Sequence, residues 1–132
     1  MAFQPEFLGV EDVLQIHADQ VALYGGSLGV RDEGLLLSAL AQPMAGIGDE
    51  YFHPDLAAMA AAYVFHLVKN HPFVDGNKRV GYASARTFLE LNGYRLAGDF
   101  SDKYGLVIGI AEGRVSKDEA AKFIREQMVR RE

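Results

Sequence analysis

The chain has 132 residues, 49% of them apolar and 23% charged, and no cysteine. That length can bury a core without metals or disulfides, and the missing thiols exclude a disulfide scaffold, a cysteine-ligated zinc site and thiol catalysis. The balance of 13 basic against 18 acidic residues, net −5, argues against broad nucleic-acid binding, which needs a basic face.

These properties predict one domain over residues 1–132, of ordinary globular composition. The start M-A-F-Q-P-E-F-L lacks the basic opening and long apolar run of a leader. No window approaches the ~18 apolar residues of a membrane-spanning helix. A cytoplasmic protein with no membrane partner is the expectation.

In chain order, Val10, Val13, Leu14, His17, Val21 and Tyr24 recur at helical spacing, and Gly25-Gly26 ends that segment. A second helix is predicted over Asp32 to Gln42. Residues 43–53, P-M-A-G-I-G-D-E-Y-F-H, read as irregular, because two glycines and a proline break any period. Pro54 suits the first turn of a third helix. There the apolar face of Leu56, Met59, Ala60, Tyr63, Val64, Leu67 and Val68 is flanked by alanines and Phe65, predicting burial nearly all round. This helix must end near Asn70, since His71 precedes a proline.

A fourth helix is predicted from about Lys78 to Asn92, stopped by Asn92-Gly93. The only stretch with extended character is Tyr94 to Leu96. Ser101 is the expected cap of a fifth helix. Ser116-Lys117-Asp118-Glu119 is a capping box for a sixth, with Ala120, Phe123, Ile124 and Met128 facing inward. The predicted class is all-α: a compact bundle of about six helices, with the loop 71–77 joining the two most buried.

That loop, H-P-F-V-D-G-N-K-R from His71 to Arg79, is the densest chemistry in the chain. Asp75-Gly76-Asn77 is turn chemistry opening directly into a helix. A helix start presents unpaired N–H groups and the positive end of the dipole, which together suit phosphate. Gly76 clears space for a close anion; Asn77 can cap the helix or donate to a phosphate oxygen. Lys78 and Arg79 occupy a first turn whose dipole disfavours cations, so a bound anion explains them better than helix stability. A carboxylate beside a phosphate cradle, here Asp75, is what Mg²⁺ takes. His71, across the turn, can accept a proton from an incoming hydroxyl. These parts point to phosphoryl or nucleotidyl transfer. The plainer alternative is a common D-G-N turn after a histidine that merely ends a helix.

The stretch H-P-F-V-D-G-N-K-R resembles the signature H-x-F-x-[DE]-[GA]-N-[GK]-R of the Fic/Doc superfamily. H-A-D-Q-V-A-L-Y-G-G at 17–26, and L-V-K-N-H-P-F with F-L-E-L-N-G around the signature, are similar to its death-on-curing (Doc) branch. The resemblance runs from about residue 10 to residue 125. It implies the helical fold of that family, with His71 as general base, Phe73 as core anchor, Asp75 on Mg²⁺, Gly76 and Asn77 in the anion cradle and Arg79 on the nucleotide phosphates. Members that transfer AMP carry glycine where Lys78 stands and a second arginine where Tyr82 stands. Doc-like members share the lysine, which fills part of the cradle and adds a point charge. They transfer the γ-phosphate of ATP to a protein hydroxyl, a threonine of elongation factor Tu.

The resemblance therefore implies a toxin kinase using ATP and Mg²⁺, with AMP transfer or a non-catalytic nucleotide- or partner-binding module as alternatives. Gly76 leans the other way, since Doc-type signatures often have alanine there. The inhibitory motif [ST]-x-x-x-E-[GN] is missing: Gly29 and Ile108 precede Glu33-Gly34 and Glu112-Gly113. Inhibition is thus expected in trans, from a small antitoxin with a disordered tail.

Residues 43–53 fall where the family places a target-binding flap, with Tyr51 and Phe52 as contacts; an ordinary helix connection is the alternative. Lys69 either faces a protein substrate or is a solvated helix-end lysine. His17 and His66 read as packed, hydrogen-bonded core histidines, and His53 as exposed. A zinc site from His53, His66 and His71 lacks the closed ligand set it would need. Gly25 to Gly29 has no G-K-[ST] ending and follows a helix, so it reads as a turn.

Overall fold

A computed structural model of the chain describes residues 3–132, so the first two residues of the stretch read above as leader-free lie outside it. The elements are α1 (Val10–Tyr24), α2 (Glu33–Ala41), β1 (Gly46–Ile47), β2 (Glu50–Tyr51), α3 (Leu56–Asn70), α4 (Asn77–Leu91), β3 (Tyr94–Leu96), α5 (Phe100–Ala111), α6 (Lys117–Gln127) and β4 (Met128–Arg130). The predicted all-α bundle of six helices is what the chain forms. Among the described residues, no helix is long and apolar enough to cross a membrane.

Helix α3 is the axis of the structure and packs on α2, α4, α5 and α6. Its alanines make this possible: Ala57, Ala60, Ala61 and Ala62 are buried beside Met59, Tyr63, Val64 and Leu67, so neighbouring helices approach from several sides. Helix α4 comes close at Gly81, where an added Cβ would lie 3.0 Å from Val68 Cγ2 and 3.3 Å from the Val64 carbonyl oxygen. This tight crossing fixes the separation of the two helix ends that the 71–76 loop bridges. Buried Tyr63 ties the N-terminal segment to the core, with its hydroxyl accepting from Leu8 N–H at 2.8 Å and donating to Leu8 O at 3.3 Å. Burial pushes that phenol up to about 12.

Several local expectations change. Pro54 precedes the start of α3 rather than occupying its first turn: Asp55 is the cap, accepting from Ala58 N–H at 2.8 Å. The cap of α5 is Asp99, which accepts from Asp102 N–H at 2.9 Å, not Ser101. Both positions carry cap-forming residues, and the earlier one takes the role. The capping box at Ser116 forms as expected, with reciprocal bonds to Glu119 of 3.0 and 3.1 Å.

The segment 43–53 is not wholly irregular. Gly46 pairs with Tyr51 and Ile47 with Glu50 in a hairpin turning at Gly48 and Asp49. Two-residue strands are too short to show alternation, so no sequence period could mark them. The extended stretch at Tyr94–Leu96 is a strand, paired antiparallel with Met128–Arg130. Met128 therefore leaves the sixth helix, where it had been placed, and opens β4.

His53 is buried, 8% exposed, and not the surface residue expected. It lies near the start of α6, where burial and then the charge of Lys117 lower its pKa. His66 is half-buried beside it, and Lys117 Nζ donates to its Nε2 at 3.3 Å. Burial, with Lys117 and His53 adding to it, pushes His66 down to about 4 from 6.5. The unfolded chain binds a proton at this residue below pH 6.5 that the folded chain refuses. Stability is therefore expected to fall as pH drops from 6.5 towards 4, and His66→Gln should flatten that part of the slope. Denaturant titrations of both proteins at pH 7, 6 and 5 measure the difference; parallel slopes would refute it.

Candidate active site

The loop after α3 owes its shape to a few specific braces. Phe73 is fully buried and stacks on the His17 ring, with centroids 4.0 Å apart and planes 13° apart. His17 Nε2 donates to the Asp75 carbonyl at 2.8 Å, which fixes its tautomer. The expected packed histidine of α1 is thus a support of the loop. Asn77 is buried and spans the turn, its Oδ1 accepting from Phe73 N–H at 2.9 Å and its Nδ2 donating to Phe73 O at 3.0 Å. It does not cap α4, contrary to one reading of its position; both side-chain groups are engaged inside the loop. The cap is Gly76, at φ 80 and ψ 20. A Cβ there would meet only the His17 ring, at ordinary contact of 3.7 Å, so backbone conformation rather than packing favours glycine.

Beside the loop lies a cavity of about 410 Å³ lined by His71, Asp75, Gly76, Asn77, Lys78 and Arg79, together with Tyr24, Gly25, Gly26, Val68, Val74 and Ala111. The fold thus brings His71, Asp75, Gly76, Asn77, Lys78 and Arg79 of the signature to one concavity, while Phe73 anchors the loop in the core. The side chains of His71, Asp75, Lys78 and Arg79 are exposed at it. Among the described residues, the N–H groups of Asn77, Lys78 and Arg79 donate to no internal partner, and no side chain caps the helix. Three amide donors, two cations and the dipole of a fifteen-residue helix therefore converge on one space. Arg79 rests over the Tyr24 ring at 5.3 Å, its Nη1 3.5 Å from the Gly25 carbonyl oxygen. An arginine held only by a ring face and a long bond is free to turn towards an anion.

Asp75 Oδ2 accepts from Ser27 N–H at 3.2 Å and Oδ1 from Gly76 N–H at 2.9 Å. A carboxylate has about four lone-pair sites, so two remain for a hard cation. A carboxylate with free lone pairs beside unpaired helix-start amides is donor chemistry that fits Mg²⁺, which takes one or two carboxylates with phosphate oxygens and waters.

Tyr82, at the position of the expected second arginine, does not line this cavity. Its ring lies under Lys103 Nζ of α5 at 5.8 Å, and burial pushes its hydroxyl up to about 12. The turn at Gly25 to Gly29 is more than a stop for α1. Gly25 and Gly26 line the cavity, Ser27 holds Asp75, and Gly29 O accepts from Val74 N–H at 3.0 Å. Positive φ at Gly25, Gly26 and Gly29 brings this backbone against the loop. The run of glycines was the available signal. Lys69 is exposed in the last turn of α3. In the segment 43–53, Tyr51 is half-buried against Phe7 at 5.7 Å, so the exposed large apolar side chains there are Met44, Ile47 and Phe52.

The model of the Fic/DOC family matches residues 7–89, a span holding α1 to α3, the whole cavity loop and most of α4. The chain is similar to a protein named Toxin Doc of Mycolicibacterium smegmatis, 48% identical over 95 residues, covering 72% of this chain and 71% of that protein. It is also similar to Protein kinase doc of Escherichia phage P1, 30% identical over 115 residues, covering 87% of this chain and 90% of the relative.

Proposed function

This chain belongs to the Fic/DOC family, and on that premise we propose that it is a Doc-like toxin that moves the γ-phosphate of ATP to a protein hydroxyl. The observation that carries the reading is the convergence of an exposed imidazole, a carboxylate, unpaired helix-start amides and two cations on one cavity.

In the proposed reaction, the N–H groups of Asn77, Lys78 and Arg79 receive phosphate oxygens. The Lys78 and Arg79 side chains neutralise their charge, which is most of what phosphoryl transfer asks of a protein. Asp75 would hold Mg²⁺, which when bound neutralises the polyphosphate and screens its charge from the nucleophile. His71 accepts the proton of the target hydroxyl as its oxygen bonds to the γ-phosphorus. The bond from that phosphorus to the bridging oxygen breaks, and ADP leaves.

Lys78 at the cradle favours phosphoryl over AMP transfer, because its long charged side chain occupies room that a glycine would leave to the nucleotide. The relative's printed name, a protein kinase, supports the same choice. Gly76 carries little weight for AMP transfer, since an alanine methyl would meet only ordinary contact there. The proposed target is a threonine of elongation factor Tu, so that transfer blocks translation in the cytoplasm. The proposed inhibitor is a small antitoxin acting in trans.

Incubation of the purified chain and elongation factor Tu with Mg-ATP tests the reading directly. Label is expected to pass from γ-³²P ATP and not from α-³²P ATP. Transfer of the α-label would replace the kinase by an AMP transferase.

A further inference from the structure

His71 is the one residue other than glycine with a positive φ among the described residues, at φ 52 and ψ 53. A side chain in that region is strained and persists only where its surroundings fix the backbone. The helix supplies one bond, from His71 N–H to Leu67 O at 3.3 Å. Three more come from one residue 40 positions away, and Asp32 N–H adds a second bond to Pro72 O at 3.0 Å. Arg31 Nε donates to His71 O at 2.8 Å, and Arg31 Nη2 donates to Asn70 O at 3.1 Å. The Arg31 backbone N–H donates to Pro72 O at 2.7 Å. One residue thus holds three consecutive carbonyls, the middle one belonging to the strained histidine.

Resting on the reading of this loop as a transfer site, we propose that Arg31 is the positioning residue of His71. Its guanidinium sets the left-handed backbone turn that presents the imidazole to the cavity. A planar fork reaches two carbonyls at once, whereas a lysine ammonium is a point charge on a flexible stem. The positive charge also lies at the carbonyl end of α3, where the dipole favours it. The phosphate half of the loop has separate braces: His17 on Asp75 O, Asn77 on Phe73, and Ser27 on the Asp75 carboxylate. Loss of Arg31 therefore misplaces the proton acceptor and leaves the anion cradle standing.

The test uses Arg31→Lys and Arg31→Gln in the full chain, both of which keep a polar stem if Arg31→Ala fails to fold. In transfer from Mg-ATP, kcat is expected to fall about 100-fold while KM for ATP moves by less than about twofold, the pattern of a misplaced reacting group with binding intact. In the nucleotide-free proteins with labelled histidine, the NMR ring signals of His71 are expected to shift and those of His17 to stay. Millimolar guanidinium should restore part of kcat to Arg31→Ala and none to His71→Ala. Unchanged kcat with an unchanged His71 spectrum would overturn the assignment. So would equal loss of ATP binding with displaced His17 signals, which would make Arg31 a brace of the entire loop. Should the wild-type chain transfer nothing from ATP, the functional reading fails by itself, and the NMR comparison alone decides the role of Arg31.

Discussion

His71→Ala is expected to abolish transfer to the protein target and to leave the fold intact. The imidazole is exposed at the cavity, and the bonds that hold the residue are made by its backbone, through Leu67 and Arg31. Alanine inherits the same left-handed backbone, so the unfolding midpoint should move by no more than about 3 °C, less than a 1 kcal/mol change would give. The chemical loss is of another size. A positioned base contributes about 10²–10⁴ in rate, and no other side chain lining the cavity is an imidazole. In growing cells the wild-type chain should halt growth on induction and the variant should not. Purified protein gives the sharper measurement, with rates of γ-phosphate transfer at saturating Mg-ATP. A variant retaining more than about a tenth of the wild-type rate would remove the imidazole from the chemistry.

The distinction between binding and chemistry runs through the whole loop. Asn77 and Phe73 hold each other, and His17 holds the Asp75 carbonyl, all through groups whose bonds are made inside the loop. The exposed side chains of Lys78, Arg79 and His71 contribute little to holding the fold, whereas the Asp75 carboxylate serves both ends, since it also accepts from Ser27 and Gly76 N–H. A loop with its structural bonds on one side and its chemistry on the other tolerates substitutions on the chemical side. Such variants should fold normally and fail only in reaction, which makes their kinetics interpretable as free energies of the transfer step.

What could be read from residues alone followed from periodicity and signature. The six helices declared themselves because each carries an apolar face over several turns, and the 71–79 loop because its residue types have few structural uses in that density. The start of α3, read at Pro54, and the cap of α5, read at Ser101, each fall two residues from the expected place, since neighbouring helix-starting or cap-forming residues offered equal local chemistry. The hairpin at 46–51 and the strand at 128–130 depend on pairing with distant or very short segments, which leave no local period. His53 was misjudged because a histidine before a proline carries no local sign of α6 packing over it. The largest omission concerns the Gly25 to Gly29 turn and Arg31. Both act on the loop from more than forty positions away in the chain or close to it, so only the tertiary fold shows what they touch.

The two adjacent glycines after α1 separate backbone strain from damage to the site. Gly25 has φ 82 and Gly26 φ 109, both regions that a side chain adopts at a cost. Alanine at either position should therefore destabilise the protein by about 1–2 kcal/mol. Their surroundings differ. A Cβ on Gly25 meets nothing within 4 Å, whereas one on Gly26 would lie 2.6 Å from Asp75 Oδ2 and 3.3 Å from its carboxyl carbon. Gly26→Ala must displace the carboxylate and break its bond to Ser27 N–H, and Gly25→Ala need not. Transfer by Gly26→Ala is expected to fall about 100-fold below Gly25→Ala at similar stability, as misplacement of a reacting-site group by about 1 Å would produce. Because Asp75 is the carboxylate assigned to Mg²⁺, the magnesium concentration needed for half-maximal rate should rise in Gly26→Ala and stay at the wild-type value in Gly25→Ala. Thermal melts and magnesium titrations of the two variants measure both effects. Equal losses of activity in the pair would trace the defect to strain at the turn and detach Asp75 from the metal.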